Sequence, residues 1–395
     1  MHLTPISQGR FIWLLSYISI ASVSAAMITP ALPLMEQVFD VSHGAIEWVV
    51  SIFLIGYVAG QLIYAPLANR FGRLKALKWG LNLNLMGLLI CLASSYIPHY
   101  LGFLVGRLIT GLGSAAGLTC TFMLINEWLP ETQRKSAMAY SILSFALGIG
   151  LAVLIGGVIT QFSQWPYCFV VLLAQGVLMR LGVNLFQETL MTPKSGQISA
   201  LLLDYKHALS SKQLLIFSAI WGVCTAVGYC YAAAAPQIAH SYLKLTAAQY
   251  GYWNVLNIGG MLVGGLSARK LMHMVAVKMV IRLGYAGSML SILGLSMMYY
   301  YNYTQPVCFF SLTASLYCFS SYFFAGGSYM ASNAIADKAS ASSMMSFINM
   351  LVATTTVIIM GYISTNALYG FIKTLLSLIL LTFVAFLCSR TITHE

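Results

Sequence analysis

Long apolar stretches, each bounded by charged residues, Pro or Gly, follow one another along the whole chain. Most are at least about 20 residues long, which is the length that a helix needs to cross a hydrocarbon layer about 30 Å thick. They lack the alternation of a barrel strand, and a backbone in lipid must satisfy its own hydrogen bonds, so the pattern predicts spanning helices. We place twelve of them, near 10–33, 45–68, 76–96, 100–126, 136–161, 165–187, 213–237, 249–270, 275–299, 305–331, 341–364 and 367–389.

Composition excludes a soluble protein. Of the 395 residues 59% are hydrophobic and only 7% are charged, whereas a soluble domain carries roughly 25% charged residues. The first span also resembles a signal peptide, because a cleavage-like Ser24-Ala25-Ala26 follows an apolar stretch. Its removal would leave eleven spans and spoil the pairing of halves, so we expect this span to be retained.

The spans fall into two related sets. The longest polar interval, 188–212, divides the chain nearly in half, and residues 60–70 match residues 260–270 at an offset of 200. We therefore predict an all-α membrane protein of twelve helices in two pseudo-symmetric six-helix bundles, at 1–187 and 213–395, joined by a cytoplasmic linker. Such duplicated bundles place a substrate site at their interface near the midplane.

The positive residues predict the orientation, because cytoplasmic loops retain Lys and Arg. With the N-terminus inside, the inner loops and termini hold fifteen of the 20 bases, the outer loops hold only Lys244, and four lie within spans. Both termini are thus expected in the cytoplasm, and topology explains the net charge of +11 better than a nucleic-acid partner does. The eight Cys occur singly, without metal-binding spacing. We expect no metal and no cofactor, and a bacterial cytoplasmic membrane as the location.

A motif between the second and third spans carries a family resemblance. Residues 60–73, GQLIYAPLANRFGR, resemble the G-P-L-A-D-R-x-G-R loop of the major facilitator superfamily, and the chain is similar to its Bcr/CflA-like drug-resistance transporters. The resemblance implies the twelve-helix fold and drug:proton antiport. Gly72 permits a tight turn, while Arg70 and Arg73 can meet helix C-termini and carboxylates as a conformational latch. This latch begins at Gly60, and Asn69 replaces the usual Asp, which weakens its charge pair.

Two further segments resemble family motifs. Arg107 opens RLITGLG in the fourth span, similar to R-x-x-x-G-x-G, whose Arg is associated with proton coupling. An ionisable group inside a membrane is costly and is a functional candidate by default, although a purely structural role is the alternative. The fifth span partly matches an antiporter motif but lacks its Pro, so we expect a helix-packing stripe. The small residues of this stripe are Gly148, Ala152, Gly156 and Gly157.

Carboxylates are scarce in the predicted spans. Relatives often carry an Asp where this chain has Ala26, and Glu47 lies near the outer end of the second span, in the predicted first turn, where the helix dipole favours a negative charge. If protons drive transport, Glu47, or a relay through Arg107 and water, must carry them. The residues alone leave this choice open.

Three further bases lie within predicted spans: Arg180, Arg282 and Lys373. Each is within two turns of a predicted helix end and can snorkel to the headgroups. Facing a cavity instead, together with the polar Asn254 and Asn257, they would make it cationic and favour an anionic cargo by Coulombic attraction.

These observations predict a secondary transporter that exports a small organic molecule by alternating access, coupled to protons, as in multidrug efflux. The alternative is a dedicated organic-anion transporter, such as an exporter of a polycarboxylate siderophore or a metabolite permease. The sequence has no nucleotide-binding loop, nucleophile motif or large extramembrane domain, so we expect neither an enzyme nor a receptor. The expected partners are the substrate, protons and the bilayer, and we expect a monomer.

Overall fold

A computed structural model describes residues 7–128, 131–190, 209–335 and 338–388, and every regular element in these ranges is helical. The first half contains the α-helices α1 (Gln8–Ser16), α2 (Ser19–Ala26), α3 (Leu32–Phe39), α4 (His43–Phe71), α5 (Arg73–Tyr96), α6 (Tyr100–Trp128), α7 (Glu131–Phe162) and α8 (Tyr167–Gly182). The second half contains α9 (Lys212–Gln237), α10 (Ala247–Trp253), α11 (Val255–Met274), α12 (Val277–Tyr300), α13 (Pro306–Ser332), α14 (Lys338–Ile363) and α15 (Ala367–Cys388).

Helices occupy all twelve predicted windows. Ten helical stretches of the described residues are long and apolar enough to cross a membrane. Of the two remaining windows, 136–161 contains α7, whose described apolar part is Gly148–Phe162. The other, 249–270, contains α10 and α11. Most of the predicted linker, residues 191–208, lies outside the described residues.

Two of the predicted spans are interrupted helices. In the first span α1 ends at Ser16 and α2 begins at Ser19, and both hydroxyls donate back to backbone carbonyls, at 2.6 Å to Trp13 and 2.8 Å to Ser16. Such back-bonding often bends a helix. A 3₁₀ turn at Thr29–Ala31 then contains Pro30, which has no N–H to donate. In the eighth span α10 ends beside Asn254 and α11 follows directly.

The chain divides into two compact units. Unit 1 comprises Met1–Ala31, Gln37–Asp40 and Ile52–Leu201, and unit 2 comprises Leu32–Glu36, Val41–Ser51 and Leu202–Glu395. The first turns of α4 are therefore part of unit 2, and the rest of this helix is part of unit 1.

In unit 1 glycines bring α5 and α6 into backbone contact. A Cβ at Gly87 would lie 2.5 Å from the amide nitrogen of Thr110, and one at Gly106 would lie 2.9 Å from that of Cys91. Real Cβ atoms do not approach backbone atoms so closely, so each position requires the smallest residue. Small residues allow this close packing where lipid provides no hydrophobic force between helices.

In unit 2 the C-terminal part of α9 is buried. Ala233, Ala234 and Ala235 are fully inaccessible, and the ring of Tyr231 lies 5.5 Å from that of Tyr317 in an edge-on arrangement. Edge-on and offset ring pairs contribute beyond their buried area. This end of α9 thus lies in the interior of unit 2.

The repeat in the sequence has a counterpart in packing. Gly60 of α4 faces α6, where an added Cβ would lie 2.6 Å from the carbonyl oxygen of Leu112. Gly260 of α11 faces α13, where it would lie 2.8 Å from the carbonyl carbon of Ala314. The two positions, 200 residues apart, make equivalent close helix contacts in their own units.

Candidate functional site

Arg107 is fully buried inside unit 1. Its guanidinium carbon lies 4.5 Å from the centre of the Phe53 ring, and Nη1 donates to the backbone oxygen of Ser24 at 3.0 Å. A cation over an aromatic face is stabilised by the ring quadrupole, most strongly where water is excluded. Helices α2, α4 and α6 together therefore hold one charge in the apolar interior.

The glycines of the Arg107 motif explain why α6 reaches this position. A Cβ at Gly111 would overlap the carbonyl oxygen of Phe53 in α4, and one at Gly113 would lie 2.6 Å from that of Gly80 in α5. The two glycines let α6 pack closely against both neighbours. The glycines of the motif thus allow close helix packing, and this packing places the guanidinium of Arg107 over the Phe53 ring.

Glu47 lies in unit 2 and is 5% exposed. The helix α4 begins at His43, two residues earlier than predicted, and the backbone and side chain of Ser42 accept from its first N–H groups. Glu47 is therefore in the second turn, and the sequence-based placement in the first turn was wrong. Because the dipole effect falls off within the first turn, it does not by itself account for a buried carboxylate.

The surroundings of Glu47 include a helix of the C-terminal half. A Cβ on Gly361 of α14 would lie 2.6 Å from Oε2 of Glu47, so this glycine gives the carboxylate its space. A second carboxylate, Glu36, accepts a 2.5 Å hydrogen bond from Nε2 of Gln237 at the end of α9. The sequence did not single out Gln237, because a lone amide at a helix end carries no motif.

The other three intramembrane bases differ from Arg107. The side chains of Arg282 and Lys373 are exposed, and Lys373 lies 5.7 Å from the ring centre of Tyr369. Arg180 is half-buried in the last turn of α8 and donates from Nε to Oδ1 of Asn82 at 2.9 Å. Their assignment to a substrate cavity stays a prediction.

Asn254 and Asn257 belong to a buried polar chain in unit 2. Nδ2 of Asn257 donates to Oδ1 of Asn254 at 2.9 Å, and Thr313 of α13 donates to Oδ1 of Asn257 at 2.9 Å. Both amides are 2% exposed. A satisfied buried network specifies one packing arrangement, so this chain fixes the broken eighth span against α13.

The predicted latch residues lie in unit 1, with Gly60 inside α4 and the others at the junction of α4 and α5. Arg73 forms an ion pair with Glu127 at the end of α6, with Nη2 2.6 Å from Oε1, and Nη1 donates to the carbonyl oxygen of Ala68 at 2.8 Å. Thr189 also donates to Glu127. Arg70 instead lies over the ring of Phe71, at 5.1 Å. The sequence missed Glu127, which stands 54 residues from Arg73.

Glu188 caps the start of α5 from outside that helix. One carboxylate oxygen accepts from the N–H of Arg73 at 2.8 Å and the other from that of Leu74 at 3.0 Å. The backbone of Gly72 has φ +112°, and a Cβ there would lie 2.5 Å from Oε2 of Glu188. Both the backbone conformation and the carboxylate therefore require glycine at this turn.

The stripe of small residues in α7 packs against the first span within unit 1. A Cβ on Gly148 would lie 2.9 Å from that of Ser19, one on Gly156 would overlap the carbonyl oxygen of Met27, and Ala152 and Gly157 are buried. Close packing accounts for Gly148 and Gly156, and Ala152 and Gly157 lie buried beside them in the same helix. Among the described residues no group of three or more His, Cys, Asp or Glu could hold a metal ion.

Duplicated helical packing, spans of membrane length and a buried intramembrane charge define a multi-pass membrane protein. The sequence model of the Major Facilitator Superfamily matches residues 14–354, and the chain belongs to this family. The family membership confirms the predicted fold class and the predicted resemblance.

Curated relatives and solved structures are consistent with this membership. Over 160 residues, 40% of the chain, it is 28% identical to the efflux pump bfoC of Aspergillus brasiliensis, covering 27% of that protein. Over 148 residues, 37% of the chain, it is 28% identical to the quinolone resistance protein NorB of Staphylococcus aureus, covering 31% of it. The chain thus spans less than a third of either relative.

The structural matches extend over nearly the whole chain. A crystal structure of a D-xylose-proton symporter has a TM-score of 0.73 at 16% identity, with 95% of this chain and 97% of that one covered. A bacterial homolog of the human lysosomal transporter Spinster, in an inward-facing and unoccupied conformation, has a TM-score of 0.71 at 13% identity, with 97% of each covered. At these identities the likeness shows the fold alone.

Proposed function

We propose that this chain is a secondary active transporter that exports a small organic molecule by alternating access, driven by protons. The names of the relatives, an efflux pump and a quinolone resistance protein, support efflux as the direction. The observation that carries the coupling is Arg107, a fully buried guanidinium in a membrane-spanning helix. An ionisable group buried within a membrane-spanning helix is costly and is a functional candidate by default.

The proposed organisation follows the sequence. Six-helix bundles at 1–187 and 213–395 are joined by a cytoplasmic linker, and both termini lie on the cytoplasmic side of a bacterial inner membrane. The distribution of Lys and Arg supports this orientation. We propose that the chain acts as a monomer.

Reconstitution tests the role of Arg107. Arg107→Ala should lower transport of a fluorescent quinolone into proteoliposomes with an imposed pH gradient by at least roughly 10-fold, because it removes the buried charge. Arg107→Lys keeps a charge but loses the planar stacking on Phe53, and should retain part of the rate. The control, Arg269→Ala, removes an exposed base at the end of α11. Full transport by a well-folded Arg107→Ala variant would exclude the residue from the mechanism.

We assign the proton-carrying carboxylate to Glu47, because it is buried next to Gly361 and within the membrane-spanning α4. Glu47→Gln mimics its protonated form with the same shape. This variant should lose stimulation by a pH gradient yet still exchange labelled quinolone between two equal compartments. Glu36→Gln, a change of the neighbouring carboxylate, serves as the matched comparison. Undiminished gradient-driven transport by Glu47→Gln would contradict the assignment.

A dedicated organic-anion transporter remains the second candidate, and the buried positive charge of Arg107 favours it. The exposed side chains of Arg282 and Lys373 add little to this argument, because they are not buried inside unit 2. Competition distinguishes the two candidates: an anion carrier should be inhibited by citrate-like polycarboxylates, whereas a drug exporter should be inhibited by unrelated cationic drugs.

Ala26→Asp introduces the carboxylate that relatives often carry at this position. Under either candidate function, this variant should shift the substrate preference towards cations.

A further inference from the structure

Unit 1 has a cavity of about 500 Å³ beside the turn between α4 and α5. Its lining combines three bases, one carboxylate and apolar side chains: Arg70, Lys75, Lys78, Glu188, Phe71, Gly72, Leu74 and Leu190. The proposed proton coupling uses none of the three bases, although Arg70 is also one of the predicted latch residues. Lys75 and Lys78 are three residues apart in α5, so they lie on the same face of that helix.

The cavity has an excess of positive charge. Its only acid, Glu188, is engaged by four backbone N–H groups, those of Arg73, Leu74, Thr189 and Leu190, at 2.8 to 3.2 Å. Arg73 is directed to Glu127 and does not line the cavity. Within the described part of the chain, Arg70, Lys75 and Lys78 have no carboxylate partner. Three bases against one engaged acid leave a formal charge of +2, which suits an anion.

Neighbouring aromatic residues locate this cavity at the surface of a membrane. Phe71 is 41% exposed and Trp79 is 46% exposed, and their rings make an edge-on contact at 5.3 Å. Exposed Trp and other aromatic side chains at the ends of spans are typical of the headgroup level. The bases therefore lie where the phosphates of a bilayer lie, and the apolar Leu74 and Leu190 continue the lining.

We infer that this cavity binds the phosphate headgroup of an anionic phospholipid. Arg70, Lys75 and Lys78 neutralise the phosphate, while Phe71 and Trp79 contact the glycerol and the first acyl carbons. A freely soluble phosphate would gain nothing from these aromatic side chains. The lipid would also lie against Gly72 and Glu188, and so against the cap of α5. This inference is independent of the cargo and of proton coupling.

The test is the binding of phosphatidylglycerol to the purified full-length chain in phosphatidylcholine nanodiscs, measured by native mass spectrometry. A base near a membrane surface contributes about 1 kcal/mol towards an anionic lipid, so the double variant Lys75→Gln/Lys78→Gln should bind about 30-fold more weakly. Lys75→Arg/Lys78→Arg keeps both charges and should bind like the unchanged protein, which separates loss of charge from misfolding.

The matched control is Arg269→Gln/Lys270→Gln, two adjacent bases of α11 that the repeat pairs with residues 69 and 70 and whose side chains are both exposed. Its binding of phosphatidylglycerol should be unchanged. An equal loss in both double variants would mean attraction to general surface charge and would overturn the inference. Displacement of the lipid by millimolar inorganic phosphate would overturn it as well, because the cavity would then be a site for soluble anions.

Discussion

At the scale of single residues, Gly72 shows how one position serves two constraints. Its positive φ requires glycine, and the space where a Cβ would stand is filled by the carboxylate of Glu188. Among the described residues Gly72 is the single glycine with a positive φ, and it forms the turn between α4 and α5 within the family motif. A side chain here would strain the backbone and displace the cap of α5 together.

Gly72→Ala should therefore destabilise unit 1 by about 1–3 kcal/mol, the usual cost of a strained backbone position. Thermal unfolding in detergent should show a lower midpoint. Gly228→Ala is the control, since a Cβ there meets no atom within 4 Å. Equal midpoints for the two variants would mean that the turn tolerates a side chain.

At the scale of elements, the sequence predicted where the helices are but not which faces meet. Apolar runs marked twelve windows that all contain helix, and ten helical stretches of the described residues have membrane length, because lipid demands such runs whatever the neighbouring helices are. The local irregularity at Asn254, whose backbone stays helical and whose N–H still donates to the carbonyl oxygen of Tyr250, could not be read from hydropathy. The burial of Glu47 was also missed, because it follows from packing against Gly361, a residue in a distant part of the chain.

The candidate site was predictable only in part. Arg107 was recognisable from its motif and from the cost of burying a charge, but its position over Phe53 depends on contacts between α4 and α6. The ion pair of Arg73 with Glu127 joins residues that no local pattern connects. For Arg282 and Lys373 the sequence favoured snorkelling to the headgroups and kept a cavity position as the alternative, because sequence does not specify the rotation of a helix about its axis.

Two adjacent glycines in α11 provide a sharp test of helix contact. Gly260→Ala should destabilise unit 2 by about 1–3 kcal/mol, because the new methyl group meets the backbone of Ala314. Gly259→Ala should be neutral or slightly stabilising, since its Cβ meets nothing within 4 Å and Ala is the better helix former. Thermal unfolding of the two variants checks this. The reverse order would refute the packing of α11 against α13.

At the scale of the whole molecule, the positive-inside asymmetry sets the proposed orientation. The loop between α12 and α13, which contains Asn302 with φ +50°, is expected outside, and the end of α15 is expected inside. Alkaline phosphatase, which is active only outside the cytoplasm, should be active when inserted at Asn302 and inactive after Cys388. A green fluorescent protein fusion at the two sites should give the opposite pattern, and the reverse results would invert the topology.

The cap that Glu188 places on α5 has a consequence for dividing this chain into separately expressed fragments. The predicted end of the first bundle, residue 187, would leave the capping carboxylate on the second fragment. An N-terminal fragment that ends at residue 187 lacks Glu188, so the first N–H groups of α5 lose their acceptor. A fragment extended through residue 190 contains this carboxylate. Split versions of the protein should accordingly be cut later than hydropathy suggests.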